Sequence, residues 1–144
     1  MVATHSQAAD MTTELLAAVM QGQVPIARNL LVQGADVNAM NTAGRPLLVL
    51  AAASGNRRTL QLLLESGADV NAVDKQANSA VMEAAAFGHE DVVALLIASG
   101  ADVNLKNSAG ENALQKATRS GHEKIIELLK QAGAEEGDAG GKKK

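Results

Sequence analysis

Apolar positions recur along this chain with a period of 33 residues. Leucine stands at 30, 63, 96 and 129, alanine at 18, 51, 84 and 117, and an aliphatic residue at 15, 48, 81 and 114. The string GADVN occurs at 34–38, 67–71 and 100–104 with the same spacing. We call each such series of equivalent positions a ladder. Several ladders in one register indicate a solenoid built from a repeated supersecondary unit.

Each unit carries the signals of two short helices joined by turns. In the second unit, residues 41–44 read Asn-Thr-Ala-Gly, and both Asn and Gly accept the backbone angles of tight turns. Pro46 precedes a predicted alanine-rich helix over 47–54, and Gly55 follows at the position where helices end with positive φ. Leucines at 60, 63 and 64 have the i, i+3, i+4 spacing of a second helix. One such helix pair is too small to bury its own apolar face, so the units must stack.

The unit resembles the ankyrin repeat. Three stretches carry the resemblance: NTAGRPLLVLAAASGNRRTLQLLLESGADVN at 41–71, DKQANSAVMEAAAFGHEDVVALLIASGADVN at 74–104 and NSAGENALQKATRSGHEKIIELLKQAGA at 107–134. It implies an all-α fold, an ankyrin-repeat solenoid of helix–turn–helix units with β-turn or hairpin loops, in repeats at about 11–40, 41–73, 74–106 and 107–134. The first unit lacks the turn, as N-terminal caps do. The family's Thr-Pro-Leu-His segment is replaced in all three stretches, so the Thr–His hydrogen bonding typical of that segment is lost.

Both ends carry the features of caps and tails. At a ladder position that is apolar in the first three units, the last unit has Lys130, and a terminal repeat must present a polar face to water. Residues 135–144 form an acidic, glycine- and lysine-rich tail without apolar anchors, for which we predict disorder. We predict disorder for residues 1–10 as well. The terminal lysines indicate a solvated end, with a basic address signal as the alternative.

Composition and charge argue against several function classes. The formal net charge of −3 argues against general nucleic-acid binding, which needs a basic footprint. The chain has no cysteine, which excludes disulfides and thiolate metal sites and agrees with a reducing cytoplasm. The apolar run 15–20 is too short for a signal sequence or a membrane span. We therefore expect a soluble cytoplasmic protein that binds neither nucleic acid nor membrane.

No residue pattern predicts catalysis or a cofactor. Asp36, Asp69 and Asp102 repeat within the turn motif, so we interpret them as turn residues rather than catalytic carboxylates. His89 and His122 occupy equivalent sites in adjacent repeats. A metal ion shared by the two histidines is the alternative, but packed helices lie about 8–10 Å apart, which is too far for both side chains to bind one ion easily. The resemblance implies instead that these histidines have a structural role at the corner between two helices. Nucleophile-elbow and phosphate-loop motifs are missing, so we expect no enzyme activity, metal or cofactor.

The asparagines that close the GADVN strings have two interpretations. The resemblance implies that Asn38, Asn71 and Asn104 bridge successive turns by hydrogen bonds. Hydroxylation of these side chains, which occurs in some ankyrin proteins, is the alternative.

The resemblance also implies a partner surface on the concave side, made of the turn tips within residues 40–45, 73–78 and 106–111 and the exposed side of each first helix. We call these positions the strip. Its helix part comprises positions 20–21, 53–54, 86–87 and 119–120. The residues chosen as partner contacts are Met40, Thr42, Arg45, Val73, Lys75, Gln76, Asn78, Phe87, Lys106, Ser108, Glu111 and Arg119.

The strip predicts a protein–protein interaction module, an adaptor or steric inhibitor that is monomeric by itself. A self-associating structural subunit is the alternative. Phe87, the only aromatic residue, is predicted to be exposed and to anchor the partner. The strip also carries four cations, opposed mainly by Glu111, which predict a partner with an acidic surface. The alternative is that they only keep the protein surface soluble. They are Arg45, Lys75, Lys106 and Arg119.

Overall fold

The computed structural model describes residues 5–136, and their side chains from residue 10 onward. This part of the chain forms eight helices in four consecutive pairs, with a short corner of two or three residues inside each pair. The helices are α1 His5–Met20, α2 Val24–Val32, α3 Leu47–Ser54, α4 Arg57–Glu65, α5 Ala80–Phe87, α6 Glu90–Ala98, α7 Ala113–Ser120 and α8 Glu123–Gln131. None of them is both long enough and apolar enough to cross a membrane. The predicted all-α solenoid is confirmed.

The pairs stack so that first helices contact first helices and second helices contact second helices. The ladders form the shared core: the leucines at 30, 63, 96 and 129 and the alanines at 18, 51, 84 and 117 are all buried. Small alanine side chains allow the first helices to pack closely, since interaxial distance depends on the side chains at the contact. Complete burial of a leucine contributes roughly 1.5–3 kcal/mol.

Glycine ends each first helix and leaves room for the next repeat. Gly55 has φ 76° and Gly88 has φ 81°, a left-handed conformation that costs other residues about 1–2 kcal/mol. A Cβ at Gly55 would lie 2.6 Å from the ring of His89, and one at Gly88 would lie 2.7 Å from the ring of His122. Each histidine therefore packs on the glycine of the preceding repeat. This is the inter-helix corner that the resemblance implied.

Side chains within the tips fix their backbone. Asn41, Asp74 and Asn107 occupy one ladder position, and each accepts hydrogen bonds from the N–H groups two and four residues later. Single antiparallel bridges close the first two tips, between Met40 and Pro46 and between Val73 and Ser79. The tips are thus short, internally bonded hairpins, as the resemblance implied.

Hydrogen bonds from the GADVN strings link successive repeats. The Asn38 carboxamide oxygen accepts from the N–H of Asp69 at 3.0 Å, and that of Asn71 accepts from the N–H of Asp102 at 2.8 Å. Asn104 continues the series by accepting from the N–H of Glu135 at 2.8 Å. The three aspartates accept from the N–H two residues later, as turn residues do; they are Asp36, Asp69 and Asp102. Both turn predictions are confirmed.

Helix α1 and a hydrogen-bonded tail residue, Glu135, lie partly or wholly outside the predicted domain 11–134. Helix α1 begins at His5, inside the stretch 1–10 for which we predicted disorder, because no glycine or proline interrupts the chain before α1 ends. At the other end, the Glu135 carbonyl accepts a hydrogen bond from Asn112 at 2.8 Å, which ties the first tail residue to repeat 4. The predicted disorder of residues 1–4 and 137–144 lies outside the described residues.

Candidate partner-binding face

The stack aligns the predicted contact residues in rows, because equivalent positions of successive repeats lie side by side. Three of the twelve predicted contacts are half-buried, namely Arg45, Asn78 and Glu111. The other nine are exposed: Met40, Thr42, Val73, Lys75, Gln76, Phe87, Lys106, Ser108 and Arg119. The prediction that these side chains contact a partner stays a prediction.

Large apolar side chains are exposed mainly along the strip. Among the described side chains, six large hydrophobic residues are exposed, and four of them occupy strip positions: Met20, Met40, Val73 and Phe87. The other two, Ile26 and Val32, belong to the second helix of repeat 1. Exposed apolar side chains that cluster mark interaction sites more often than scattered ones do.

Phe87 is held in place although it is exposed. Its side chain is 59% accessible, which confirms the predicted exposure. The ring stacks on His89, with centroids 6.4 Å apart and planes inclined by 27°. His89 is itself fixed, because its Nε2 lies 2.9 Å from the carbonyl oxygen of Ala53 in the preceding repeat. Ser54 and Ser120, the equivalents of Phe87 in the two neighbouring repeats, are small, so the ring stands above its surroundings.

Arg45 does not belong to a row of unpaired cations, which corrects one prediction. Its Nη2 lies 2.7 Å from Oε1 of Glu83, and its Nε lies 3.8 Å from Oδ2 of Asp74. Both acids are largely buried, and both belong to the next repeat. From the sequence we named Glu111 as the main opposing acid and did not consider Glu83, which stands in the otherwise apolar segment AVMEAAAF. A comparison of equivalent positions could have drawn attention to Glu83. The same position holds Leu50 in repeat 2 and Lys116 in repeat 4, so it is not restricted to apolar residues.

Arg119 is paired as well, but within its own repeat. Its guanidinium forms an ion pair and hydrogen bond with Glu111, and Lys116 Nζ lies 3.8 Å from the same carboxylate. The hydrogen bond from Arg119 is the main cause that lowers the pKa of Glu111, and partial burial opposes it. The same hydrogen bond raises the pKa of Arg119.

Lys75 and Lys106 are both exposed at the tips. The aliphatic stem of Lys75 lies over Gly44 of the neighbouring tip, where an added Cβ would come within 2.6 Å of Lys75 Cε. A side chain at residue 44 would therefore displace Lys75. The lysine stem is placed by packing, and its charged end faces solvent.

Backbone and side-chain bonds join the tips of repeats 3 and 4. The N–H of Ser108 donates to the carbonyl of Gln76 at 2.9 Å. The Asn107 carboxamide donates to Oδ1 of Asn78, also at 2.9 Å. Neighbouring tips are therefore linked directly, and this part of the strip is fixed before any partner arrives.

The described residues offer no grouping of three or more His, Cys, Asp or Glu side chains that could hold a metal ion. An open groove of about 520 Å³ lies at the outer end of repeat 4, between α7 and α8. Leu114, Thr118 and Ile126 line it, with Arg119, Lys130 and Glu136 at its charged positions. Lys130 and Glu136 pair with each other at 3.7 Å.

A protein-family model described as ankyrin repeats (3 copies) matches residues 15–107 and again residues 48–139. The chain belongs to the ankyrin repeat family. The two matches are offset by one repeat, as expected when a three-repeat model meets a stack of four. Ankyrin repeats generally serve as protein-interaction modules and are typically not enzymes. A search of curated proteins found none that matches this chain.

Proposed function

We propose that this ankyrin protein binds another protein through the strip and acts as an adaptor or as a steric inhibitor. The observation that carries the proposal is the exposure of four large apolar side chains at strip positions, of which Phe87, at 59% accessibility, is the most exposed. Aromatic side chains at the centre of an interface often dominate binding, since they bury a large area in few rotatable bonds.

The rigidity of the strip supports this proposal. Phe87 is stacked on a hydrogen-bonded histidine, and the tips of repeats 3 and 4 are joined by hydrogen bonds. A surface that is already ordered loses little conformational entropy on association, and this loss is a major cost of binding. The partner therefore meets a preformed surface.

Electrostatic attraction is carried by fewer cations than the sequence predicts. Arg45 and Arg119 already neutralise carboxylates of the chain, whereas the exposed Lys75 projects from its tip. We propose that Lys75 favours a partner with an acidic surface. Such charges at an interface rim mainly raise the rate and set the orientation of association.

We further propose that the chain works in the cytoplasm as a monomer and has no catalytic role. The outer face of repeat 4 supports the monomer, because it is polar where the inner repeats are apolar. Gln115 replaces Val49 and Met82, and Thr118 replaces Ala52 and Ala85. A second copy stacked on this end would have to bury these polar groups, which costs free energy unless each finds a hydrogen bond. Light scattering at several concentrations tests this point, and a mass above one chain at micromolar concentration would contradict it.

Affinity purification from the native cell tests the proposed function. The probe is the full chain, compared with a strip variant, Met40→Ala with Phe87→Ala, and with a control variant, Ile26→Ala with Val32→Ala. Both pairs remove exposed apolar side chains, but only the first pair belongs to the strip. We expect proteins retained by the wild type to bind the strip variant at least about tenfold more weakly. The control variant should bind them as the wild type does. Equal losses from both variants would show that the strip is not the binding surface.

A further inference from the structure

The interface between repeats 1 and 2 lacks a corner bond that joins the later repeats. We call the interfaces between successive repeats the first, second and third. In the second and third, a corner histidine lies close to a carbonyl oxygen of the preceding repeat, at 2.9 Å for His89 and 3.3 Å for His122. Asn56 stands at the equivalent position of the first interface. Among the described contacts its side chain bonds only the N–H of Thr59, in its own repeat.

The tips also link the later repeats. Arg45 pairs with Glu83 across the second interface, and Asn107 donates to Asn78 across the third. The described residues include no such tip before α1, so repeat 1 has none to offer. The first interface keeps the bond between successive GADVN strings, which Asn38 accepts. It therefore retains one of the three kinds of polar link that join the repeats.

The first interface also buries a polar group that forms no hydrogen bond. Thr59 is fully buried, and its Oγ1 has no hydrogen-bond partner. The equivalent residues Val92 and Ile125 are buried apolar side chains, whereas Ile26 is 49% exposed, with no described repeat before it. This position is thus covered by the preceding repeat. Contact with repeat 1 removes the Thr59 hydroxyl from water without replacing its hydrogen bond, which disfavours that contact.

Apolar burial does not distinguish repeat 1 from repeat 4, the other end of the described stack. Helices α2 and α8 each bury two residues. Two open grooves, of about 330 and 260 Å³, lie between α2 and α4. Repeat 4 is therefore a suitable reference, because its burial is similar but its corner histidine and its tip are bonded to the preceding repeat.

We infer that repeat 1 opens and closes as a unit on repeats 2–4, which remain folded when repeat 1 is open. Opening breaks the bond that Asn38 accepts and lets water reach Thr59. Met20 belongs to repeat 1 and Phe87 to repeat 3, so the strip is complete only in the closed state. The opening itself does not depend on the proposed function, whereas its consequence for binding rests on it.

Hydrogen exchange of the full chain, followed by NMR, tests the inference. We expect the hydrogen-bonded amides of α1 and α2 to exchange at least about tenfold faster than those of α7 and α8. The amides of α1 and α2 should also share one opening free energy, because both helices leave together. Equal protection of the two ends of the stack would overturn the inference. Protection that rises steadily along α1 from its first turn would do so too, since it would indicate fraying.

Substitutions at the interfaces test the cause of the opening. Thr59→Val removes the unbonded hydroxyl and should slow exchange in α2 by about tenfold. Thr118→Val is the matched control, because Thr118 is exposed on repeat 4 and its hydroxyl donates to Leu114; it should leave α2 unchanged. His122→Asn gives the third interface the corner residue of the first and should speed exchange in α8 by about threefold to tenfold. Rates in α2 and α8 that ignore these changes would overturn the inference.

A thiol placed in the interface provides a second readout. The chain has no cysteine, so Thr59→Cys introduces a single thiol at a buried position, where a disulfide reagent reaches it only when repeat 1 opens. Ile125→Cys is the control at the equivalent buried position of the third interface. We expect the thiol at position 59 to react at least about tenfold faster. Equal rates would overturn the inference and leave the proposed function standing, because these measurements use the chain without a partner.

Discussion

Repeats 3 and 4 share one motif, yet they use it differently. The first helix of repeat 3 buries six of its eight residues, and that of repeat 4 buries three of eight. The histidine at the corner lies 2.9 Å from its carbonyl partner in repeat 3 and 3.3 Å in repeat 4. Repeat 3 has a neighbour on each side and repeat 4 on one side, so the same ladder position is core in one repeat and surface in the other. Position in the stack therefore decides the role of a residue as much as local sequence does.

The acids of the two repeats show the same difference. Glu83 of repeat 3 is largely buried and pairs with Arg45 of the preceding repeat, so this ion pair joins two units. Glu111 of repeat 4 pairs with Arg119 of its own repeat, whose side chain is 62% exposed. We expect the first pair to contribute to the stability of the stack and the second to shape the surface.

Truncation of a buried leucine should give the largest difference in stability between the two repeats. Leu96→Ala in repeat 3 should lower the free energy of unfolding by about 2–5 kcal/mol, because it leaves a cavity at a fully buried site. Leu129→Ala removes an equally buried side chain in repeat 4 and should cost less, since a terminal repeat can relax or open locally. Urea denaturation measures both values. An equal or larger loss from Leu129→Ala would show that repeat 4 is as tightly coupled as repeat 3.

Removal of an acidic side chain should have the next largest effect on the free energy of unfolding. Glu83→Ala should cost about 2 kcal/mol, because it leaves a half-buried arginine without the acceptor of its shortest hydrogen bond. Glu111→Ala should cost clearly less, because ion pairs that solvent reaches contribute little to stability. A double-mutant cycle with Arg45→Ala isolates the coupling energy of the inter-repeat pair. A coupling no larger than that of Glu111 with Arg119 would contradict the distinction drawn between them.

The tips offer a matched pair of backbone substitutions. Ala77 in repeat 3 has φ 64°, whereas its equivalent in repeat 4, Gly110, has φ 78°. Left-handed backbone costs alanine about 1–2 kcal/mol relative to glycine, so Ala77→Gly should stabilise the protein by about that amount. Gly110→Ala should destabilise it similarly, and no atom lies within 4 Å of the Cβ it would add, so a steric clash is not involved. Thermal unfolding measures both, and shifts of the same sign would contradict the backbone explanation.

The sequence predicted the features that recur in every repeat and missed those that occur at one place in the stack. Periodicity located the helix pairs and the core ladders, because these features recur in every unit. The resemblance to the ankyrin repeat implied the turn bonds of Asn38 and its equivalents. The contact between Arg45 and Glu83 occurs once and joins side chains 38 positions apart, so no local pattern marks it. The left-handed conformation of Ala77 was also missed, although two glycines at equivalent positions, 44 and 110, could have indicated it.

The backbone contacts of Glu135 were missed for a different reason. Composition alone predicted disorder after residue 134, since the tail has no apolar anchor. Glu135 is nevertheless bound through its backbone groups, by Asn104 and by Asn112. Any residue type can supply those groups, so composition carries no signal for such a contact.

The smallest expected effect concerns the protonation of Glu111. The hydrogen bond from Arg119 lowers the pKa of this carboxyl from its ordinary value near 4.5. A group whose pKa is lower in the folded state stabilises the fold above its unfolded-state pKa, and this contribution is lost as the pH falls through the folded-state pKa. Arg119→Gln should therefore raise the pKa of Glu111 toward its ordinary value. The same change should lower stability slightly at neutral pH, and the difference from wild type should vanish in acid.

The pKa of Glu111 is measured by NMR, from the chemical shift of its carboxyl carbon between neutral and acidic pH. Arg57→Gln is the control, because among the described contacts Arg57 bonds only its exposed helix neighbour Gln61. An unchanged pKa in Arg119→Gln would show that Asn107 and Lys116 hold the carboxylate without the arginine.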